Sequence, residues 1–341
     1  MTLIYFIIIL GITIFVHELG HFIFAKRAGI YVYEFALGMG PRIFKFNRKN
    51  DETTYSIRLF PIGGFVQMAG ETNEEDLNIS DDQKLPNKSW GQRFSTIIAG
   101  IIFNFIFAFI LFFIIALVSG APSIKPYIAS VNEEYPAYEA GIRDGDQIVK
   151  IDSKRVFSTD HLQLLLITRW GEEIEFTVDR DGETLAFEVS PVQEEEMYLY
   201  GFSLDGTLNR GFLTSLNYAF FKTVAILHQM VLIITYLVTG TIGLNSLSGP
   251  IGIYSIVGEA GAAGLINLVY LNAVISINVG FINLLPIPAF DGGRLAFLII
   301  EKIKGKPIDP ELENTIHAIG FFLLLLLMIL ITFSDLSRVF N

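Results

Sequence analysis

Cysteine is absent from the 341-residue chain. Its absence excludes disulfide cross-links and any metal site built on thiolates, leaving histidine and carboxylates as ligands. Charge is also scarce. Asp, Glu, Lys and Arg make up 17% of residues against 52% hydrophobic ones, and mean hydropathy is +0.50. Several long apolar runs in so charge-poor a chain indicate an integral membrane protein. The formal net charge of −11 lacks the cationic excess that nucleic-acid binding needs, so no nucleic-acid partner is expected. No solenoid repeat or low-complexity tract is present.

The first apolar run, Leu3–Ala25, is long enough to cross a bilayer and is followed by Lys26 and Arg27. It lacks a basic region before the apolar run and a small-x-small cleavage site, so it reads as a retained span. Within it lies His17-Glu18-Leu19-Gly20-His21. Residues four apart share one helix face, so both histidines can hold one metal ion with Glu18 beside it. In the H-E-x-x-H pattern the histidines bind zinc and the glutamate is general base toward the water that zinc activates. Ionisable groups inside a span are costly and by default functional.

Two alternating stretches, Arg42–Asn47 and Thr53–Phe60, flank a polar turn and predict a β-hairpin. The acidic residues from Glu71 to Asp82 read as a solvated loop. Trp90 and Arg93 stand where an interfacial anchor is expected before span two, Phe94–Val118, which contains Asn104. The composition turns soluble over 123–192. Strands are expected at Tyr127–Val131, Gln147–Ile151, Glu173–Val178 and Glu183–Val189, with helical spacing at Thr159–Trp170. Asp181-Gly182 marks a hairpin turn between the last two strands. Gly211–Val238 is apolar but interrupted by Asn217, Lys222, His228 and Gln229. Ser246–Gly264 reads as a glycine-rich loop, Lys302–Lys306 as a short polar loop, and Leu265–Leu285 and Ile316–Phe333 as spans. His228 and His317 read as interfacial or packing residues.

Residues 26–93 carry 10 Lys/Arg against 9 Asp/Glu, and residues 119–211 carry 8 against 18. The acidic module is therefore expected outside and Lys26, Arg27 and the lysines after residue 301 inside. His17 lies roughly 21 Å from the outer end of its span at about 1.5 Å per residue. A third ligand must reach the same depth. Asp291, just beyond Leu265–Leu285, is the candidate, provided that run travels inward. It does so if 211–238 lies on the membrane surface as an amphipathic helix and the chain crosses four times.

The motifs together resemble the bacterial site-2 protease family, the RseP-like intramembrane zinc metalloproteases. The resemblance rests on His-Glu-Leu-Gly-His, Gly38-Met-Gly-Pro41, Ile62-Gly-Gly-Phe-Val66 and Gly100-x-x-x-Asn104. It continues through Pro136-Ala-Tyr-Glu-Ala-Gly-Ile-Arg-Asp-Gly-Asp146, Ser248-Gly-Pro-Ile-Gly252 and Asn283-Leu-Leu-Pro-Ile-Pro-Ala-Phe-Asp291-Gly. It implies Zn2+ on His17, His21 and Asp291, Glu18 as base, and Asn283 with Asn104 as substrate-holding residues. Asn104 could instead serve an interhelical hydrogen bond. Gly63 and Gly64 are expected at the substrate-facing wall of the site, or serve turns alone.

The implied fold is a multi-pass α-helical membrane protein with four transmembrane helices, an inserted α+β PDZ-like domain and a membrane-associated β-hairpin. Its parts are 1–118 (two spans and the hairpin), 119–195 (the PDZ-like domain), 196–262 (linker and surface helix) and 263–341 (two spans and the third ligand). The implied activity is cleavage of single-pass membrane proteins, such as anti-sigma factors or signal-peptide remnants, in a bacterial cell membrane. The active site would face the cytoplasmic side. The outer PDZ-like module would bind or filter shortened tails, and membrane lipid would surround the spans. Two features depart from the family's patterns: Ile101 follows Gly100 where many members have proline, and only one PDZ-like module fits in 119–211 where some members carry two. An inactive PDZ scaffold is the alternative; a metal transporter is disfavoured because the spans offer no relay of sites.

Overall fold

The computed structural model describes residues 1–49, 51–71, 79–169, 171–194, 197–243 and 249–340. The chain divides into two compact units, Met1–Ala108 with Leu244–Asn341, and Phe109–Gly243. Among the described residues five helices are long and apolar enough to cross a membrane: Thr2–Arg27, Trp90–Ser119, Phe212–Val238, Leu265–Leu284 and Glu311–Phe333. The protein is thus multi-pass, with β elements between its helices.

In the first unit, helix α1 (Thr2–Arg27) carries the H-E-x-x-H sequence and ends on Lys26 and Arg27, where basic charge suits the carbonyl end of a helix. Lys26 pairs with Asp51 at 2.9 Å and with Glu52 at 2.5 Å. Strands β1 (Val32–Asn47) and β2 (Thr54–Met68) form an antiparallel pair. They run well beyond the two short stretches expected from alternation. Gly38, Gly40 and Gly63 take φ of 89°, 84° and 92°, so the strands bend at their glycines rather than stopping. As a result residues 34–37 lie between two stretches of β2, with Leu37 opposite both Gly64 and Ile57. Residues 64–66 carry a ladder on one side only among the described residues, and the Met68 N–H donates to the Glu71 carboxylate at 3.2 Å.

Helix α2 is Trp90–Ser119, of which residues through Ala108 belong to this unit. The stretch expected to be a loop from residue 246 is instead helical from Pro250: residues 244–248 lie outside the described residues, and α6 spans Pro250–Ala263 (α3 to α5 belong to the other unit). Its glycines let α1 come close. A Cβ on Gly261 would sit 2.8 Å from the Tyr5 ring, and one on Gly258 would sit 3.2 Å from Thr2. The Gly252 N–H donates to the Asp335 carboxylate at 2.9 Å, capping α6. Helix α7 (Leu265–Leu284) packs with α6 against α1 in a cluster of Ile9, Val257, Leu268 and Ile275. Polar side chains bind the spans together, as required where no water competes. Thr13 donates to Asn272 Oδ1 at 2.8 Å, and Ser276 donates to the Asn104 carbonyl at 2.9 Å. The expected loop at 302–306 is also largely helical: α8 (Asp291–Lys304) ends on Lys302 and Lys304. Trp90 Nε1 donates to the Leu298 carbonyl at 2.8 Å, and Arg93 grips Glu301 through two 2.9 Å bonds. Helix α9 (Pro310–Phe340) leaves Phe322, Leu323 and Ile329 largely exposed, as a lipid-facing span does.

In the second unit a four-stranded antiparallel sheet runs β5 (Lys154–Arg155), β4 (Gln147–Ile151), β6 (Ile174–Arg180), β7 (Glu183–Val189). Strand β3 (Ile128–Val131) pairs with β10 (Phe202–Leu204), and β8 (Val192–Glu194) pairs with β9 (Met197–Leu199). Short helix α3 (Pro136–Ala140) and helix α4 (Thr159–Thr168) complete the module around Ile148, Leu162 and Phe176. Ser158 caps α4 by accepting from the His161 N–H. Trp170, expected at the end of this helix, lies outside the described residues, as do Glu195 and Glu196 of the acidic linker.

Helix α5 (Phe212–Val238) lies along this module. Lys222 pairs with Asp160 at 2.7 Å, the His228 ring meets Phe157 and His161 at 4.9 and 5.2 Å, and Lys154 donates to the Tyr236 hydroxyl at 3.4 Å. Burial first, then the charges of His228 and Lys154, holds His161 down at about 4, below its usual 6.5. The ring is therefore neutral in the fold, and the unfolded chain binds the extra proton below pH 6.5. The contact is fully stable above pH 6.5 and is expected to weaken as pH falls through about 4. Amide-exchange protection over α4 and α5, followed from pH 7 to 4, should fall relative to that of β6 and β7. His161→Phe should flatten the trend.

Candidate metal centre

His17 and His21 share one face of α1 and are both buried. Each ring is held from α2. The Nδ1 of His21 donates to the Thr96 carbonyl at 2.9 Å. That bond fixes the proton on Nδ1 and turns the Nε2 lone pair toward the other two groups. The Asn104 side chain, fully buried, lies 3.2 Å from His17 Nδ1, and its Oδ1 has no partner among the described residues. With the amide turned so that Oδ1 accepts from Nδ1–H, His17 also presents Nε2 as a lone pair.

Asp291 arrives from the far end of the chain, as the first residue of α8. A carboxylate is well placed at the N-terminal end of a helix. The next two residues must be small: a Cβ on Gly292 would lie 2.1 Å from the Leu285 carbonyl oxygen, and one on Gly293 would lie 2.7 Å from that of Ile287. The turn thus closes directly onto the helix.

The three acceptor atoms converge. His17 Nε2 and His21 Nε2 stand 3.1 Å apart, at 3.0 and 3.2 Å from Asp291 Oδ2. Tetrahedral zinc with bonds of about 2.0–2.1 Å separates its ligand atoms by roughly 3.3–3.4 Å. Two neutral imidazole lone pairs and a carboxylate at this spacing repel one another unless a cation lies among them. The donor set therefore fits zinc.

A cavity of about 410 Å³ opens on this group, lined by Glu18, Phe65, Met68, Asn283 and Phe290 among others. Of the residues expected to meet substrate, Asn283 lines it, and its side-chain NH2 donates to the Val279 carbonyl at 3.0 Å. Gly64 stands beside Glu18, where an added Cβ would lie 3.3 Å from Glu18 Cγ. Gly63 faces Met39 instead, and Asn104 sits behind the His17 ring.

Two charged residues of the cavity escaped sequence reading. Glu71, taken there for part of a solvated loop, pairs with Arg294, and both line the cavity. The usable signal is Asp291-Gly-Gly-Arg294, a three-residue spacing that places the guanidinium on the same helix face as the Asp291 carboxylate.

Close approach of α1 and α2 makes the centre possible. A Cβ on Gly20 would lie 2.5 Å from the Ala99 carbonyl, and one on Gly100 would lie 2.3 Å from His21 Nε2. Gly100→Ala is expected to weaken zinc binding by at least about tenfold, in the range seen when a ligand's support is disturbed. Gly91→Ala, on the same helix but with no atom within 4 Å of its added Cβ among the described residues, should leave it unchanged. Chelator competition on the two purified variants is the measurement.

Residues 5–327 match peptidase family M50. The chain is 35% identical, over 99% of both sequences, to "Regulator of sigma-W protease RasP" of Bacillus subtilis. It is 32% identical to "Zinc metalloprotease RasP" of Geobacillus kaustophilus, across 99% of this chain and 98% of the other. Both alignments, at 419 and 418 positions, exceed the 341 residues here, so those relatives carry internal residues that this chain lacks. A Clostridium acetobutylicum "Putative zinc metalloprotease" aligns without that excess, 36% identical over 337 residues and covering 98% of this chain. Family-wide coverage and a donor set that fits zinc lead to one conclusion: the chain belongs to peptidase family M50 and is a zinc metalloprotease.

Proposed function

We propose that this protein hydrolyses peptide bonds inside the transmembrane segments of single-pass membrane proteins. The observation that carries this reading is a His17–His21–Asp291 cluster with Glu18 at the same cavity, on a helix apolar enough to span a bilayer. His17, His21 and Asp291 are the metal ligands. Zinc bound there supplies Lewis acidity toward water and the scissile carbonyl. Glu18 accepts the proton from the attacking water and passes it to the leaving amine. Thr96 and Asn104 keep each imidazole in the tautomer that points Nε2 at the metal. The one-sided ladder of residues 64–66 runs along the cavity through Phe65 and Val66. An unwound substrate can pair with it by strand addition, which holds a peptide extended beside Glu18, with Asn283 on the cavity wall.

Four crossings fit this chemistry better than five. The contacts of α5 with the module run from Lys222 to Tyr236, about 21 Å at 1.5 Å per residue, two-thirds of a hydrocarbon core. A helix flanked for that length by polar module residues lies with them at the membrane surface. The hairpin is the opposite case. Met39, Ile43, Phe44 and Phe60 are more than half exposed, an apolar tip suited to lipid contact.

By this topology the site lies toward the cytoplasmic side of a bacterial cell membrane and the PDZ-like module lies outside. A 420 Å³ cavity beside β10, lined by Tyr200, Gly201 and Leu166, offers that module a place to bind or filter a shortened tail. The sigma-W reference in the name of the Bacillus subtilis relative favours anti-sigma-factor-like substrates; signal-peptide remnants share the same single-span chemistry.

Glu18→Gln should cut the cleavage rate of a single-span substrate by about 10²–10⁴-fold while zinc content stays at one per chain. Undiminished cleavage would sink the mechanism, and an inactive wild type with normal zinc would favour a PDZ scaffold. The cysteine-free sequence permits a direct topology test. Thr241→Cys should react with an impermeant maleimide from outside the cell. Reaction only from the cytoplasmic face would mean that α5 crosses.

A further inference from the structure

The turn that delivers Asp291 is under strain, and a side chain from the last span holds it. Ala289 has φ of 81°, a region that residues with a Cβ rarely occupy. Its N–H donates to His317 Nδ1 at 2.9 Å, across 28 residues of sequence. One helical turn along α9, Gly320 lets the helix press on the preceding residue, since an added Cβ there would lie 2.4 Å from Pro288 Cβ. The Phe297 ring meets the imidazole from α8 at 5.5 Å. The other imidazole nitrogen, Nε2, is buried without a hydrogen-bond partner among the described residues, with Glu313 at 3.9 Å. A ring with one nitrogen accepting and the other idle is placed for that single bond.

We infer that His317 is a positioning residue for the metal centre: by accepting the Ala289 N–H it holds the turn in its left-handed conformation and so sets where the Asp291 carboxylate sits. Ala289 is two residues from Asp291, and both line the cavity that holds the histidines. Released from His317, Ala289 would relax toward negative φ and rotate the start of α8. Asp291 Oδ2 would then leave its 3.0 and 3.2 Å contacts. The inference rests on Asp291 being a ligand.

The test separates the hydrogen bond from the bulk of the ring. His317→Phe keeps an aromatic ring beside Phe297 and removes the acceptor. His317→Asn removes the ring but leaves an oxygen near the position of Nδ1. Zinc affinity of the purified full chain is measured by chelator competition, with cleavage of a single-span substrate alongside. His317→Phe should weaken zinc binding by about tenfold or more. His317→Asn should stay within about threefold of wild type, because the acceptor survives. Adding Ala289→Gly to His317→Phe should recover most of the loss, since glycine needs no tether to hold positive φ.

Wild-type affinity in His317→Phe overturns the inference, as does equal loss in the Phe and Asn variants. Failure of Ala289→Gly to rescue also overturns it, because a packing defect would not respond to that change. Asp291→Ala is measured in parallel. Unaltered zinc affinity there would overturn the ligand assignment itself, whereas its loss together with wild-type affinity in His317→Phe would overturn only the positioning role.

Discussion

Two imidazoles and a carboxylate meeting within about 3 Å inside an apolar span form an arrangement that no hydrophobic packing would produce. Their spacing is close to what tetrahedral zinc requires, and the surrounding structure holds all three groups at it. Helix α2 must come close enough to α1 to brace both rings, which requires glycine at 20 and 100. The turn before α8 must bend sharply enough to bring in Asp291, which requires glycine at 292 and 293. The polar bonds between spans, Thr13 to Asn272 and Ser276 to the Asn104 carbonyl, fix the helices at the rotation these approaches need.

The local parts of this design were open to sequence reading. A four-residue histidine spacing becomes a helix face wherever the chain is helical, and an uninterrupted apolar run makes it helical in lipid. Asp291 was accessible because depth in a bilayer limits where a partner can lie. Alternation marks the hairpin, yet only its outer half, because at Gly38, Gly40 and Gly63 the strands bend and continue where alternation breaks off. Glycine hides α6 in a similar way. In soluble chains Gly249, Gly252, Gly258, Gly261 and Gly264 would indicate a loop; here Gly258 and Gly261 are the contact face of a helix against α1.

Tertiary pairings resisted sequence reading. Glu71 looked like one more solvated acid, and only the fold brings it to Arg294. His317 looked like a packing histidine; its bond to Ala289 depends on a backbone angle that no residue pattern announces, because alanine gives no sign of positive φ. A polar residue such as Asn104 inside a span announces that it needs a partner, but only the fold places it behind the His17 ring.

Helix α2 braces all three members of the His17–His21–Asp291 cluster, the carboxylate only through the helix that carries it. It supplies the Thr96 carbonyl and Asn104 behind the two histidines. Through Trp90 and Arg93 it also grips Leu298 and Glu301, two turns or more along the helix that begins with Asp291. All three clustered atoms are therefore indexed to one common datum. The triangle of two imidazoles and a carboxylate is therefore braced from a single helix, and its shape depends on that helix more than on the spans around it.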